Sequence, residues 1–300
     1  MTYLSVCSGI EAVSVAWEPL GFTPIGFSEI EPFPCELLKQ KYPNVKNYGD
    51  ITQYEKWNAG EFDILVGGTP CQSFSIAGKR GGTADERGAL MYDYLGIVET
   101  YRPRWVIWEN VPGVLSSNSG YDFTSFLAGL EECGYGWVYR VLDAQYFGVP
   151  QRRRRVFVVG HSDNRTDLAA EVLFEPESMC GNIAAGSETQ KKTTAAIGKG
   201  VNYFRRGGNF KYHKDKKAAT LRSSAASDCF DLVLAREKKY IRRLTPLECE
   251  RLQGFPDNYT QIEWRGKPAE QCPDSLRYKA IGNSMAVPVM RWIGERIKRI

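Results

Sequence analysis

A cysteine that follows a proline at the end of an apolar run is the strongest candidate for chemistry in this sequence. The run 62–66 has the composition of a buried strand, and Pro70-Cys71-Gln72 comes three residues later. α/β proteins place reactive residues where strands end in loops. A glycine-containing stretch follows at 78–88, so Cys71 has the setting of a nucleophile beside a mobile loop. An inert core cysteine is the alternative for a single thiol.

Three positions at predicted strand ends favour a nucleoside site. Gly9 follows the first apolar run, Glu29 comes twenty residues later, and Asp50 follows Gly49. In nucleotide-binding α/β folds, an acid at this spacing binds the ribose hydroxyls. A single glycine is equally typical of a tight turn. The chain has no G-x-x-x-x-G-K-[ST] motif, so an adenosine without phosphates favours S-adenosylmethionine over ATP or NAD.

An acid and a cluster of arginines flank two further predicted strands. Glu109 follows the run 105–108 and precedes a Pro-Gly turn, where either a catalytic acid or a structural cap is expected. Arg153 and Arg155 enter the run 156–159. Alternate residues of a strand share a face, so we expect the two arginines to act together on an anionic or carbonyl-rich partner. A solvated basic turn is the alternative.

Short apolar runs alternate with helical patterns through residue 160, which predicts an α/β fold with a parallel, doubly wound sheet. The right-handed crossover rule places the carboxyl ends of its strands along one edge. The predicted strands are 4–6, 25–28, 63–66, 105–108, 137–142 and 155–160. Helical spacing is found at 94–101, 123–130 and 284–300, and a capping box with proline at the first helical position begins another helix at Thr245.

The bulk composition is that of a soluble globular protein, with 43% hydrophobic and 25% charged residues in 300. That length fits one large and one smaller domain. We expect a cofactor-binding domain at 1–160 plus about 277–300, and a loop-rich domain at about 161–276. Between 191 and 222 ten basic residues and several aromatic residues accompany one acid, Asp215, which is typical of a nucleic-acid surface or of a solvated loop.

The cysteines argue against a metal centre. Eight cysteines occur without a C-x-x-C pair, and His161 and His213 are the only histidines. We therefore expect no metal site and no disulfide framework, and free thiols in a reducing cytoplasm. The first residues lack a basic leader and no apolar run reaches membrane-spanning length, so we expect an intracellular protein without a membrane partner.

Ordered motifs across nearly the whole chain resemble the DNA cytosine-5 methyltransferases, in a short bacterial or phage form. The resemblance implies a class I S-adenosylmethionine-dependent methyltransferase fold, Rossmann-like and doubly wound, with a smaller target-recognition domain. The motifs are Cys7–Glu11, Glu29, Asp50, Pro70-Cys71-Gln72, Glu109-Asn110-Val111, Gln151-x-Arg153-x-Arg155, Arg243-Leu244-Thr245, Arg251–Asp257 and Gly282-Asn283-Ser284.

The resemblance also implies a mechanism in which the Cys71 thiolate adds to carbon 6 of a flipped-out cytosine. Carbon 5 then accepts the methyl group of S-adenosylmethionine, a base removes the carbon 5 proton, and the thiolate leaves. Glu109 would hold the exocyclic amine and N3, and Arg155, with Arg153 beside it, the base carbonyl. The implied DNA contacts are Gln72, Ser75, Lys79, Arg80, Arg205, Arg206, Thr220 and Arg222.

The implied cofactor site departs from the family pattern at two positions. Where the family has Phe-x-Gly-x-Gly, this chain has Cys7-Ser8-Gly9-Ile10-Glu11, so an aromatic contact to adenine is missing and Glu11 replaces the second glycine. The implied cofactor residues are Cys7, Gly9, Ile10, Glu29, Ile30, Asp50, Ile51, Pro70, Leu90, Asn283 and Met285.

Duplex DNA is the expected substrate of a monomeric enzyme, and a restriction endonuclease acting on the same site is a further expected partner. Two alternatives stay open at this point. An RNA cytosine-5 methyltransferase of the tRNA type shares these motifs, although the long basic segment favours reading of the major groove of DNA. A non-catalytic DNA-binding relative would keep the fold without the chemistry, which the intact Cys71, Glu109 and Arg155 disfavour.

Overall fold

The computed structural model describes residues 1–70, 86–175, 203–206, 212–215, 232–235 and 240–300. The chain divides into two compact units. The first comprises Met1–Leu142, Arg154–Gly181 and Ile293–Ile300, and the second comprises Asp143–Arg153 and Asn182–Trp292.

The first unit contains a six-stranded sheet in the order β2-β1-β3-β4-β6-β5. Its strands are β1 (Thr2–Val6), β2 (Thr23–Ser28), β3 (Ile64–Gly67), β4 (Trp105–Asn110), β5 (Gly136–Asp143) and β6 (Arg154–His161). Strands β2, β1, β3 and β4 are parallel, whereas β6 runs antiparallel to β4. The α/β prediction is confirmed, but the prediction of an all-parallel sheet is wrong at β6. Hydropathy identifies a buried strand without giving its direction.

In the described ranges five helices accompany these strands, and the last described helix ends in this unit. They are α1 (Ala12–Trp17), α2 (Pro32–Lys41), α3 (Glu86–Tyr101), α4 (Tyr121–Glu132) and α5 (Thr166–Leu173), with α8 (Val287–Ile297) at the carboxyl end. Short 3₁₀ segments occupy Glu18–Leu20, Ile51–Lys56, Pro112–Gly120 and Ala144–Tyr146. None of the helices in the described ranges is long and apolar enough to cross a membrane.

Helices α3 and α4 cover one face of the sheet. Tyr94 and Phe126 belong to a buried cluster with Leu4, Val106 and Trp108 of the strands. The Trp108 and Phe126 rings lie 4.4 Å apart, and the Tyr94 hydroxyl donates to the carbonyls of β3 and β4 at Leu65 and Ile107. The apolar spacing of both helices predicted this face, and the prediction is confirmed.

The opposite face of β1 packs against helices from both ends of the chain. Tyr3 points away from the α3–α4 side and contacts the buried Trp17 ring of α1, at 5.3 Å between ring centroids. A Cβ on Gly294 of α8 would lie 2.4 Å from Trp17 Nε1, so only glycine allows this approach. Arg296 donates to the carbonyl of Val172 in α5. The final turns of α8 are therefore part of the first unit.

The second unit contains a four-stranded antiparallel sheet in the order β10-β9-β7-β8, described by its backbone. Its strands are β7 (Tyr203–Arg206), β8 (Tyr212–Asp215), β9 (Leu232–Ala235) and β10 (Tyr240–Arg243). Helices α6 (Pro246–Gln253) and α7 (Asp274–Asn283) follow. The capping box predicted at Thr245 is present, since Thr245 Oγ1 accepts from Glu248 N–H and the Glu248 carboxylate accepts from Thr245 N–H.

The compact units differ from the predicted domains at two segments, 143–153 and 277–292, which cluster with the second unit. Helix α5 also lies in the first unit, although its segment had been assigned to the loop-rich domain. Which unit binds cofactor and which selects the target stays a prediction.

Candidate active site

The predicted functional residues of the first unit gather at one edge of its sheet. Val6 is paired with Ser28 and with Gly67, and Gly67 with Trp108, so β1 to β4 end side by side. Cys7 and Glu29 directly follow β1 and β2, and Glu109 is the last residue but one of β4. Because β6 is antiparallel, its beginning lies at this same edge, which explains how Arg155, near the start of β6, reaches Glu109 near the end of β4.

The turn after β1 binds the carboxylate that follows β2. Gly9 N–H donates to Glu29 Oε2 at 2.7 Å, and Gly9 has a φ of 56°. The N–H groups of Ile30 and Glu31 donate to Glu29 Oε1 at 2.8 and 2.7 Å. Burial raises the pKa of Glu29, and these three donors partly offset the rise. The Glu29 carboxylate is thus held in one orientation by the backbone.

Asn47 fixes the backbone of Glu29 and was not identified from the sequence. Its Oδ1 accepts from Glu29 N–H and Gly49 N–H, and its Nδ2 donates to the Glu29 carbonyl. An asparagine between two strands has no periodic signal that would have marked it. Asp50, three residues later, is exposed and caps the 3₁₀ segment through Thr52 N–H at 3.0 Å.

Cys7 lies at the centre of a group of acids. Burial, and then the nearby carboxylates of Glu29, Asp50 and Asp93, raise the pKa of the Cys7 thiol to about 12. A thiol with such a pKa is protonated at neutral pH, so Cys7 does not have the character of a nucleophile. Asp93, on α3, is a second residue that sequence reasoning missed, and its own pKa is raised by burial and by Asp50.

Glu11, the departure from the family glycine, points into the protein. Its φ of 59° is in the left-handed region that favours glycine, and its side chain is fully buried. The carboxylate accepts from Ser14 N–H at 3.0 Å and from the hydroxyls of Ser14 and Ser5. Burial raises its pKa to about 7, and the hydrogen bonds from Ser14 and Ser5 oppose the rise.

The segment leading into Cys71 is anchored to β4. A Cβ on Gly67 would lie 2.4 Å from the Val6 carbonyl oxygen, so β1 and β3 approach closely where they end. Thr69 is buried, its hydroxyl accepts from Trp108 Nε1 at 3.2 Å, and its carbonyl accepts from Asn110 Nδ2 at 3.3 Å. Thr69 therefore fixes the chain one residue before Pro70. No sequence pattern had marked this threonine.

Glu109 and Arg155 form an ion pair at this edge. Arg155 Nε lies 3.0 Å from Glu109 Oε1, and the two side chains are 15% and 12% exposed respectively. Among the described residues, Arg155 forms the ion pair with this carboxylate. The pair is accessible enough for a ligand to contact, and the arginine keeps the acid fixed beside the end of β4.

Arg153 has different partners, in the second unit. Its buried guanidinium donates to the carbonyl of Ser284 at 2.6 Å and to that of Gly282 at 3.3 Å, which fixes the end of α7. These contacts differ from the Arg155–Glu109 pair, and the joint action of the two arginines on a bound base stays a prediction. The strand begins at Arg154, so the alternation that holds within β6 does not extend to Arg153.

The other predicted contacts vary in exposure. Ile10 and Ile51 are buried, Ile30 is 66% exposed, and Pro70, Leu90 and Met285 are partly buried, whereas Asn283 is exposed. Arg205 and Arg206 lie in β7. The predicted residues Cys71, Gln72, Ser75, Lys79, Arg80, Thr220 and Arg222 lie outside the described residues.

The family model for C-5 cytosine-specific DNA methylase matches residues 1–193 and 175–299. The chain belongs to this family. S-adenosylmethionine is the methyl donor of the methylases of this family, and the acids around Cys7 fit its positively charged sulfonium.

Curated relatives match this methylase over most or all of its length. A protein of Escherichia phage P1 named DNA N-6-adenine-methyltransferase is 36% identical over the whole chain, which spans 61% of that relative. The Type II methyltransferase M.NlaX of Neisseria lactamica is 30% identical over 90% of this chain and 87% of its own length. The first name specifies adenine as the target base, and the second name specifies no base.

A solved structure supports the fold. The structure of the Dnmt2 methyltransferase of S. pombe has a TM-score of 0.68 to this chain at 16% identity, covering 97% of this chain and 96% of the other. At that identity the likeness concerns the fold, and it agrees with the predicted class I methyltransferase architecture.

Proposed function

We propose that this chain methylates carbon 5 of cytosine in a specific duplex DNA sequence, through a transient bond between Cys71 Sγ and carbon 6. S-adenosylmethionine supplies an electrophilic methyl group. Cys71 adds to carbon 6 and gives carbon 5 the electron density to take that methyl group. Loss of the carbon 5 proton to a base then expels the Cys71 thiolate and restores the aromatic ring.

The Glu109–Arg155 pair is the observation that carries this proposal. A carboxylic acid that shares a proton with N3 of the cytosine would stabilise the Cys71 adduct. Arg155 keeps Glu109 at the sheet edge, and Arg155 itself would contact the base carbonyl. Thr69 follows β3, the strand beside β4, and restrains the chain two residues before Cys71. Nucleophile and acid would thus meet on one base, which must be flipped out of the duplex.

The turn after β1 and the acid after β2 support the proposed cofactor position. The N–H groups of Gly9 and of Glu31, the residue before α2, orient the Glu29 carboxylate, which would accept hydrogen bonds from the ribose hydroxyls. Ile30 presents an exposed apolar side chain beside it, which suits one face of adenine. Leu90 and Asp50 would complete the pocket. Asn283 and Met285, which the family resemblance adds to the cofactor residues, lie in the second unit, and their role stays a prediction.

The target sequence would be read by the segment 161–276. Strand β7 carries Arg205 and Arg206, and β8 carries Lys214. Arginine has the planar fork that reads guanine O6 and N7, whereas lysine is a point charge suited to phosphates. We therefore assign base reading to one of the arginines and positioning on the backbone to the lysines.

The decisive experiment identifies the modified base. The purified chain is incubated with isotope-labelled S-adenosylmethionine and either mixed-sequence duplex DNA or tRNA, and the nucleosides are separated by mass spectrometry. We expect labelled 5-methylcytosine in duplex DNA, and none with Cys71→Ala. N6-methyladenine, the product named for the phage P1 relative, or label confined to tRNA would overturn the proposal.

Two controls make the nucleophile assignment specific. Cys133→Ala removes a partly buried thiol at the end of α4 and should leave turnover unchanged. Duplex DNA containing 5-fluorocytosine should trap the wild-type chain covalently, since fluorine does not leave as a proton. An active enzyme that forms no such adduct, or retained turnover in Cys71→Ala, would contradict the proposed mechanism.

We further propose that the chain acts as a monomer at the nucleoid and protects a site that a restriction endonuclease cleaves. The name Type II methyltransferase of relatives such as M.NlaX supports this proposal. Bisulfite sequencing of DNA from cells that express the chain would give the site. Sedimentation of the purified chain would give its oligomeric state.

A further inference from the structure

Glu11 occupies the turn between β1 and α1, where the backbone is left-handed and the family has glycine. We propose that Glu11 is a positioning residue for the methyl donor. Its buried carboxylate fixes the conformation of the turn Cys7–Glu11, and this turn holds the Glu29 carboxylate. This inference rests on the proposed function, because it assumes that the cofactor binds at this edge of the sheet.

The contacts of Glu11 connect two elements, β1 and α1. Its carboxylate accepts from the hydroxyl of Ser5 on β1, and from the N–H and hydroxyl of Ser14 on α1 at 3.0 and 2.5 Å. The Ser14 hydroxyl also forms a 2.7 Å hydrogen bond with that of Tyr3 on β1. All four residues are buried. The network therefore joins the strand before the turn to the helix after it.

The backbone of the turn needs such a restraint. Cys7, Gly9 and Glu11 have φ values of 49°, 56° and 59°, so three of five consecutive residues are left-handed. This conformation is unfavourable for residues with a Cβ, and it persists where the surroundings determine it strongly. The hydrogen bonds of the Glu11 side chain supply that restraint at the end of the turn.

The conformation of the turn also decides the position of Glu29. Ser8 N–H donates to the Ser28 carbonyl at 3.1 Å, and Gly9 N–H donates to Glu29 Oε2 at 2.7 Å. A turn that relaxed would move both donors away from the end of β2. Glu11 would thus act on the cofactor through Gly9 and Glu29, without touching it.

Three substitutions at position 11 separate the effect of the left-handed backbone from the effect of the Glu11 side chain. Glu11→Gly removes the carboxylate and also the conformational strain, Glu11→Ala removes only the carboxylate, and Glu11→Gln keeps the shape. The dissociation constant of S-adenosylhomocysteine is measured by titration calorimetry without DNA. We expect Glu11→Gly to weaken binding by about tenfold, Glu11→Ala to weaken it further and Glu11→Gln to lie between Glu11→Gly and wild type, since each variant loses charged hydrogen bonds.

The kinetic parameters should show that the substitutions weaken cofactor binding and leave the methyl-transfer step nearly unchanged. The KM for S-adenosylmethionine should rise in step with the dissociation constant, while kcat at saturating cofactor stays within about twofold of wild type, as expected for lost uniform binding. If Glu11→Ala does not fold, Ser14→Ala combined with Glu11→Gln provides the test. The two changes should be non-additive, because they remove the same hydrogen bonds.

Asp122→Asn is the matched control, because Asp122 is also a buried carboxyl in the first turn of a helix, where it accepts from Ser117 Oγ at 2.7 Å. It should lower thermal stability and leave the dissociation constant unchanged. Glu11→Gly that bound S-adenosylhomocysteine as tightly as wild type would overturn the inference. A wild-type chain that bound neither form of the cofactor would instead overturn the proposed function.

Discussion

Two arginine–glutamate pairs in different units of this protein have similar geometry and different surroundings. In the first unit Arg155 Nε lies 3.0 Å from Glu109 Oε1, and in the second unit Arg277 Nη2 lies 3.2 Å from Glu250 Oε1. The side chains of the first pair are 15% and 12% exposed, whereas those of the second are 8% and 0% exposed. The first pair lies at the end of a strand, and the second joins two helices.

The surroundings of each pair indicate its purpose. Thr260 encloses the second pair: its N–H and hydroxyl donate to Glu250, and its Oγ1 accepts from Arg277 Nε at 3.0 Å. Among the described residues, Glu109 is paired with Arg155. An ion pair is therefore weak support for either a structural or a chemical role. Exposure and the remaining partners distinguish the two roles, and the two pairs can be tested against each other.

The largest effect is expected from Glu109→Gln, which keeps the shape of the side chain and removes its ability to share a proton. We expect the rate at saturating DNA and cofactor to fall by roughly 10²–10⁴, the usual scale for a positioned acid. Stability should change by less than about 1 kcal/mol, since the pair is partly exposed. Single-turnover methyl transfer and urea unfolding measure the two quantities.

The comparison would fail if Glu109→Gln unfolded more easily but reacted normally once saturated. That result would make Glu109 a structural residue like Glu250. Unchanged binding of duplex DNA in the variant would show that the lost rate comes from chemistry.

The reverse pattern is expected from Arg277→Met in the second pair. Removing one partner of a buried ion pair leaves the other charge without compensation, which costs about 3–5 kcal/mol. We expect this loss in the free energy of unfolding by urea, with a methyl-transfer rate near that of wild type at temperatures where the variant is folded.

The double variant Glu250→Gln with Arg277→Met is the control for this prediction. It removes both charges and should recover part of the lost stability, because no buried charge remains unpaired. A double variant as unstable as the sum of the two single variants would show that the ion pair is not what holds α6 to α7.

The sequence predicted most of the first unit because apolar periodicity reports burial directly. The six strands and the helices at α3 and α4 are found where the apolar runs and spacings placed them. The apolar pattern does not predict the direction of a strand, and β6 is antiparallel to β4. Helix α5 was missed because eight residues with three buried positions, Ala169, Val172 and Leu173, give a short pattern without a capping residue.

The sequence predicted the acids of the candidate site but not the residues that hold these acids in place. Glu29 and Glu109 follow recognisable strands, so their place at the sheet edge follows from topology. Asn47 and Thr69 act through two or three hydrogen bonds each, to the backbone or to neighbouring side chains, for which no spacing rule exists. Arg153 could not be separated from Arg155, because its partners lie about 130 residues away in the chain.

Glu11 extends the comparison to a buried carboxylate that, among the described residues, has hydroxyl and N–H donors and no arginine. Its pKa is raised from 4.5 to about 7 by burial, so the folded protein binds its proton more tightly than the unfolded chain does. The resulting stabilisation is complete below about pH 4.5 and is lost as the pH rises through about 7, by about 3 kcal/mol.

The measurement is the free energy of unfolding of wild type and Glu11→Gln at several pH values. The free energy of unfolding of wild type should fall relative to that of the variant between about pH 4.5 and 7. Above about pH 7 the difference between the two should change little. Tyr3 and Glu18 also interact with Glu11, and Glu18 has a pKa raised by burial. A Glu18→Gln background therefore removes the neighbouring acid, and parallel curves for the two chains in that background would contradict the assignment to Glu11.

The smallest effect is expected at a third arginine–glutamate pair, between Arg242 and Glu248, whose side chains are 34% and 10% exposed. Glu248 also completes the capping box with Thr245 at the start of α6. Thr245→Ala removes the cap and leaves the pair in place, so we expect a loss of about 1 kcal/mol in urea unfolding and unchanged turnover. Thr124→Ala is the matched control, because this exposed threonine donates to the carbonyl of Gly120, just before α4, and its loss should change stability by less than about 0.5 kcal/mol. A loss several times larger in Thr245→Ala would mean that the cap and the ion pair act as one unit, and that partial exposure does not by itself make such a pair weak.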